Sequence, residues 1–506
     1  MDALAASPAA AFQGRTLIDG SFDNPNYWLR FSFVRAALGL KNGRETGLLG
    51  PFRREQVGAT FRHFGVNDVV SFPDVPVSAD ARRLADELVD ATRTADDVLA
   101  WSLPEGFPAM MVYDGILKRQ RLAAVDVRRP DFRLHVREAV ESIERARRVI
   151  EEGNYDLVVI SHPFNFLYGG IAWCALKRGI PVLLPFGAFG TMRITRFDRP
   201  EELFSFYDRP TAADFAAAAP AKLAALEEVG RQYIDARLGG QADDLASIYA
   251  FRQSGERIDR AVLGAKFGWD PAKPIVAVYA SNWFDWPHQL GMSQFRDFLD
   301  WTETTFQAAR RNEGVNWLFK PHPAEDWFGG ASLASIMARI GTAPHVAIAD
   351  KAWNNTAVMQ TVDALVTYHG TAGIEFASRG KPVLIPDRGK YDDIGFAKVA
   401  GSRQNYIDLL GTEWWQGMDL TQAARLANTF AGWWICAPDW QSDMLLEDDP
   451  RQDAIYASIP AMLDRNADVV AREIAHLCDW FATGHRFSHT YKMALAERYR
   501  LTNVRA

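Results

Sequence analysis

The sequence predicts an α/β protein: two Rossmann-like domains facing a cleft, closed by C-terminal helices. Three observations carry that expectation. Short apolar strands alternate with helices at the spacing that parallel βαβ units require. The pattern lapses into an alanine- and charge-rich stretch, 211–263, and starts afresh at Pro274-Ile-Val-Ala-Val-Tyr-Ala280. At 506 residues the chain also exceeds what one hydrophobic core organises. The expected domains are 1–255, Rossmann-like with a helical connection, and 256–420, Rossmann-like, with 421–506 as helices packing across both.

In chain order, 15–19 reads as a strand and 27–40 as a helix with an apolar stripe. A strand at 45–49, a helix at 53–64 stopped by Gly65 and a strand at 69–72 follow. A helical run covers 79–103, and 132–152 is a long amphipathic helix that ends at Gly153 and feeds an apolar strand, 157–161. A glycine turn at Gly169-Gly170 should lead a helix to Lys177 and a strand at 181–184. Past Phe186-Gly187, Arg193 and Arg196 read as part of a polar loop, either solvated or holding an acidic acceptor. The second domain reads as strands at 274–280, 315–320, 364–367 and 383–385, with a helix at 295–310. Beyond 420 the pattern is helical only.

Bulk properties narrow the function. Hydrophobic residues make up 48% and charged residues 24%, ordinary for a folded chain. A net charge of −7 gives no field that favours nucleic acid. Three distant cysteines, Cys174, Cys436 and Cys478, suit a reducing compartment and lack metal-ligand spacing. The N-terminus lacks a basic, then apolar leader, and no window approaches a membrane span. A cytoplasmic location is expected. The aromatic stretch from Phe430 to Trp440 is either core packing or a patch that dips into the inner face of a membrane, a peripheral association.

Two motifs carry chemistry. From Tyr368 to Pro386 the order is strand, glycine turn, short helix and second strand. Amides at the helix start, beside the carboxyl end of a buried strand, would hold a phosphate, since unpaired N–H groups and the helix dipole both favour an anion. That assigns Thr371, Ala372 and Gly373 to a phosphate. Glu375, one turn further in, would take the hydroxyls of a ribose. His369, directly before the turn, either joins the phosphate site or caps the strand. The second motif, Val315-Asn-Trp-Leu-Phe-Lys-Pro-His-Pro323, is an apolar strand cut off by prolines. It would display Lys320 and His322 at the sheet edge where ligands bind. Together these read as a nucleotide-sugar site.

Cations and oriented amides would stabilise a phosphate leaving group, with no metal and no other cofactor expected. Asp392-Asp393 and Asp448-Asp449 are adjacent rather than spaced, and read as loop acids. Activating an acceptor hydroxyl needs a general base. The candidates stand near strand ends: Asp19, Asp23, Asp114 and His162.

Lys320-Pro-His-Pro323, Gly370, Gly373-Ile-Glu375, Gly380-Lys-Pro-Val383, Gly389, Tyr391 and Gly395 form one set. It resembles bacterial capsule-polysaccharide-synthesis glycosyltransferases of GT-B fold, including Kdo transferases, and is similar to sialyl- and polysialyltransferases. The specific motifs run from about 275 to 396; the N-terminal half matches loosely. The resemblance implies a CMP-linked ulosonic donor such as Kdo, or a UDP-sugar, and a glycan or lipid-linked saccharide acceptor. It gives His322, Lys320, Thr371 and the amides of 370–373 to the donor phosphate, and Glu375 to the ribose or base. Paired serines common in CMP-sugar enzymes are replaced here by His369-Gly370-Thr371, which leaves the nucleotide open. A CDP-glycerol-type phosphotransferase, a nucleotide-sugar epimerase and a non-catalytic binding module are the competing readings.

Overall fold

A computed structural model describes residues 12–500, apart from 23–24, 41–42, 188–189, 205, 207, 243–250, 252–255, 257, 323–324, 326–330, 437–439, 446–458 and 460. The chain forms two compact units. One comprises 1–116, 127–208 and 438–498; the other comprises 117–126, 209–437 and the residues from 499 onward. The sequence reading divided the chain at 255 and 420. The units change over at 208 and 437 for packing reasons. Helix Pro220–Leu238 packs on helix Leu420–Ala431 inside the second unit, and 438–498 supplies strands to the first unit's sheet.

Fourteen strands are described. They are β1 (Thr16–Gly20), β2 (Glu45–Leu49), β3 (Asp68–Ser71), β4 (Leu157–Val159), β5 (Val182–Phe186) and β6 (Thr191–Phe197). Then come β7 (Ile275–Tyr279), β8 (Asn316–Lys320), β9 (Val346–Ile348), β10 (Ala364–Thr367), β11 (Val383–Ile385) and β12 (Lys398–Val399). The last two are β13 (Trp440–Ser442) and β14 (Phe487–Lys492).

The first unit's sheet runs β13-β14-β6-β5-β4-β1-β2-β3. Its β5-β4-β1-β2-β3 portion is parallel, and β6 joins antiparallel to both β5 and β14. The second unit's sheet runs β12-β11-β10-β7-β8-β9, parallel throughout. Fully buried runs such as Ile275-Val-Ala-Val and Asn316-Trp-Leu-Phe-Lys form these strands because helices cover both faces. In each unit the strand order reverses once, between β1 and β4 and between β7 and β10. Such a reversal opens a crevice at the carboxyl ends of the strands, where ligands bind in open α/β sheets.

Four local expectations change. Gly169 and Gly170 lie inside the helix Asn165–Lys177 instead of a turn. A Cβ on Gly169 would stand 2.3 Å from Met111 Cε and 2.6 Å from the Pro163 carbonyl oxygen, so the glycine serves close packing. The run 79–103 is two helices, Ala79–Ala91 and Ala95–Leu99, because Thr94 and Asp97 form a capping box that restarts the backbone. Arg193 and Arg196 sit on strand β6 and not in a loop. The C-terminal segment holds β13 and β14 as well as the helices Ala467–Thr483 and Met493–Tyr499. Strand β14, Phe-Ser-His-Thr-Tyr-Lys, has no apolar run to betray it, since Ser488, His489 and Thr490 are themselves buried.

The aromatic stretch is packed inside. Phe430 and Trp434 are buried in the second unit, and Trp440 in the first. Trp433 stacks on Phe215 with the Lys222 ammonium over its ring. Two glycines make this packing feasible. A Cβ on Gly230 would come within 1.8 Å of the Asn428 carbonyl oxygen, and one on Gly432 within 2.0 Å of that of Leu226. Among the described residues, no helix is long and apolar enough to cross a membrane.

Candidate functional site

At the β7/β10 crevice three strands deliver short polar segments to one place. Strand β7 ends at Tyr279 and continues Ala280-Ser-Asn282; β8 ends at Lys320-Pro-His322; β10 ends at Thr367 and continues through His369-Gly-Thr371. Pro321 has no N–H to extend the ladder, so β8 stops there and its last side chains turn outward. Residues from all three line a cavity of about 430 Å³.

Lys320 is the focus of this cavity. It is buried, and its ammonium makes neither a hydrogen bond nor an ion pair among the described residues. Burial lowers its pKa to about 8, against a weaker pull from Asp350 in the other direction. A buried cation without a counter-ion is costly, and an anionic ligand would relieve that cost. His322 lines the same wall; burial pulls its pKa down while Asp285 and Glu325 push it up.

The turn after β10 matches its expected place but uses its groups differently. The Gly373 N–H donates to the Gly370 carbonyl at 3.0 Å and is spent within the turn. The amides of Thr371 and Ala372 make no hydrogen bond among the described residues. The helix they open, Ala372–Ala377, is short. Tyr391 braces the turn from behind by donating its hydroxyl to the Gly370 carbonyl at 2.8 Å. His369 lines the cavity with its ring packed against Phe298 and Tyr368 at centroid distances of 5.7 and 5.4 Å. Burial, reinforced by Lys390, lowers its pKa to about 3, so the imidazole is neutral.

Glu375 is buried at the cavity wall, and Arg237 Nε donates to its Oε1 at 2.7 Å. Its Oε2 makes no hydrogen bond among the described residues. Arg237 escaped the sequence reading: it comes from helix Pro220–Leu238, remote in sequence, and its guanidinium lies 5.3 Å from the Phe251 ring centroid. Tyr279 was missed as well. Its hydroxyl is buried without a hydrogen-bond partner among the described residues, and burial together with Glu375 raises its pKa far above the usual phenol range. No motif marks either residue; strand-end position was the available signal for Tyr279.

The remaining candidates belong to the first unit. Asp19 is buried at the end of β1, and its carboxylate accepts from the Ser21 amide at 2.8 Å, the Ser161 amide at 3.1 Å and the Ser161 hydroxyl at 2.5 Å, besides the Ser21 hydroxyl. This ties β1 to the segment after β4, and both carboxylate oxygens are occupied in doing so. His162, next along, packs its ring 4.1 Å from Phe22 and 5.7 Å from Tyr168. Its Nδ1 is buried without a hydrogen-bond partner, and burial lowers its pKa to about 4, opposed by Asp19. Asp114 is fully buried in helix Ala109–Gln120. Arg193 is buried and paired with Asp208 at 3.2 Å, whereas Arg196 pairs with Asp198 in solvent. Asp23 and Asp448-Asp449 lie outside the described residues.

Asp392 and Asp393 both engage Arg209, and Asp393 also accepts from the Ala212 amide at 3.0 Å. Among the described residues, no three His, Cys, Asp or Glu side chains cluster as a metal site would require.

No family model matches the sequence, and no curated protein matches it. Among solved structures, the chain is similar to the beta-Kdo 2,4-transferase KpsC of Thermosulfurimonas dismutans, at 14% identity over 56% of this chain and 80% of that one, with a TM-score of 0.34. It is similar to Anabaena HepE in complex with UDP-glucose at 11% identity, over 90% of this chain and 100% of that one, TM-score 0.27. The UDP-GlcNAc 2-epimerase of Neisseria meningitidis, bound to UDP-GlcNAc, is similar at 11% identity over 82% of this chain and 96% of that one, TM-score 0.23. Likenesses this distant bear no argument about activity, which rests on the site.

Proposed function

We propose that the chain is a glycosyltransferase that takes a sugar from a nucleotide-sugar donor, with the donor phosphate held in the β7/β10 cavity. The observation that carries this reading is Lys320: a buried ammonium without a counter-ion among the described residues, at the strand-order reversal of a parallel sheet, beside two amides that make no hydrogen bond among them. Lys320, His322 and the amides of Thr371 and Ala372 neutralise the phosphate as the glycosidic bond breaks. Stabilising that developing charge is the main catalytic work. Glu375 accepts from a hydroxyl of the nucleoside sugar. No metal is needed in this scheme, and activity is expected to survive EDTA.

The favoured donor is a CMP-linked ulosonic acid such as Kdo, with a UDP-sugar as the alternative. The acceptor is a surface polysaccharide or glycan, met in the cytoplasm or at the inner face of its membrane. His162 is the proposed base for the acceptor hydroxyl, since Asp19 already spends both oxygens on Ser21 and Ser161.

The deciding experiment is a thermal-shift panel of CMP, CDP, UDP, GDP and their sugar conjugates, because a ligand of the native state raises its apparent stability. A rise with CMP and CMP-Kdo supports the favoured donor, and a rise with UDP alone redirects it to hexoses. CDP-glycerol alone would select the phosphotransferase. Silence from every nucleotide would sink the site assignment.

A further inference from the structure

The helix Pro220–Leu238 contributes one side chain to the cavity that the motif residues do not explain. Arg237 is 3% exposed although it carries a permanent charge, and its Nε is directed at Glu375 Oε1. The guanidinium is enclosed by the Phe251 ring on one face and by the Tyr233 hydroxyl, 3.4 Å from Nη1. A buried ion pair of this kind is weak evidence for stability, because desolvating both charges costs about what their attraction returns. Its geometry is informative in another way. It leaves one carboxylate oxygen of Glu375 occupied and the other at the cavity, available to accept a hydrogen bond.

We propose that Arg237 is a positioning residue that holds Glu375 aimed at the cavity, so that the cavity selects a ligand sugar bearing vicinal hydroxyls: a ribonucleotide over its 2′-deoxy counterpart. The inference rests on Glu375 accepting from that sugar, as proposed above, and adds the group that makes it able to do so. The titratable groups facing Glu375 are Arg237, Tyr279 from β7 and Tyr391 from the loop after β11, with Lys320 and Lys390 on the same cavity wall. Both tyrosines are held neutral by burial and by Glu375 itself, which leaves Arg237 as the charge in contact with the carboxylate.

The test compares binding of CMP with 2′-deoxy-CMP, and of UDP with 2′-deoxy-UDP, by calorimetry from pH 6 to pH 9. Using a ratio removes the titration of Lys320, which the paired ligands share. The wild type should prefer the ribonucleotide by roughly tenfold or more at every pH, the scale of a hydrogen bond to a charged group. Glu375→Gln should bring the ratio near one throughout. Arg237→Met should bring it near one, because a Glu375 no longer held through Oε1 does not present its second oxygen to the sugar. Arg237→Lys keeps a cation and should keep a pH-independent preference; it also serves if the Met variant does not fold. An Arg237→Met protein with the wild-type ratio at every pH, or an Arg237→Lys protein with none, overturns the role of Arg237. A ratio unchanged in Glu375→Gln overturns the reading of Glu375 itself, whatever Arg237 does.

Discussion

A side-chain carbon on Gly373 would stand 2.1 Å from the hydroxyl oxygen of Tyr391, the same hydroxyl that donates to the Gly370 carbonyl. Glycine at 373 therefore has a packing reason, and the turn after β10 is braced against the loop after β11. Gly373→Ala should displace Tyr391, cost about 1–3 kcal/mol as overpacking does, and weaken nucleotide binding together with it. Urea unfolding and calorimetry on the same variant check both. Binding untouched at reduced stability would separate the turn from the ligand.

Lys320 makes a pH prediction. Its folded pKa of about 8 lies below the unfolded value of about 10.4, so between the two the unfolded chain binds more protons and stability rises with pH. Affinity for a phosphate ligand should run the opposite way, falling as pH climbs through 8 and the charge is lost. Lys320→Met should flatten both profiles and weaken nucleotide binding by roughly 2 kcal/mol, the worth of a charge-assisted hydrogen bond. A Met variant with wild-type affinity at pH 7 removes Lys320 from the site.

Acid should destabilise the protein through buried imidazoles. Unfolded histidine protonates near 6.5, whereas His162 does so near 4, His369 near 3 and His489 well below its usual value, each because burial disfavours the charged ring. Over that window the unfolded chain binds more protons, and stability must fall as pH falls. The urea midpoint at pH 4.5 is expected well below that at pH 7, with a smaller gap when His162 and His369 are both replaced by Asn. An equal gap in the double variant would assign acid sensitivity elsewhere.

Gly230 and Gly432 predict the severest change outside the cavity. A methyl at either would run into a backbone carbonyl, which cannot yield as a flexible side chain can. Gly230→Ala and Gly432→Ala should each cost about 3 kcal/mol or more, the upper end for overpacking, by forcing helices Pro220–Leu238 and Leu420–Ala431 apart. Because Arg237 rides on the first of these, nucleotide affinity should drop with them. Calorimetry at a temperature where the variants remain folded checks this.

His162 separates chemistry from binding. If it takes the acceptor proton, His162→Ala lowers turnover by roughly 100-fold or more, as loss of a general base does, and leaves nucleotide affinity unchanged. Matching losses in both would point to a structural role instead.

Legibility from sequence followed burial pattern. Strands β10 and β11 were read to the residue, and β7 and β8 to within a residue or so, because both faces of each are covered and the apolar run is nearly continuous; β2, Glu-Thr-Gly-Leu-Leu, was read to the residue without such a run. Strands β6 and β14 were invisible for the reverse reason: Arg193, Thr195, Ser488, His489 and Thr490 are polar and buried, with part of their bonding supplied by partners remote in sequence. That Lys320, His322, Thr371 and Glu375 line one cavity was legible because proline and glycine punctuate the strand ends that present them. Arg237 sits in an uninterrupted helix, and only folding brings it to Glu375.

Strand β6 is matched on one side by β5, its immediate predecessor, and on the other by β14, which begins only at Phe487. During synthesis that outer edge must wait, hydrogen-bonding groups bare, while residues 209–437 of the second unit leave the ribosome. An unpaired strand edge is an invitation to other chains. Nascent protein truncated before β14 should therefore aggregate or lean on chaperones, and the cell's yield of this protein should depend on how quickly translation reaches Phe487.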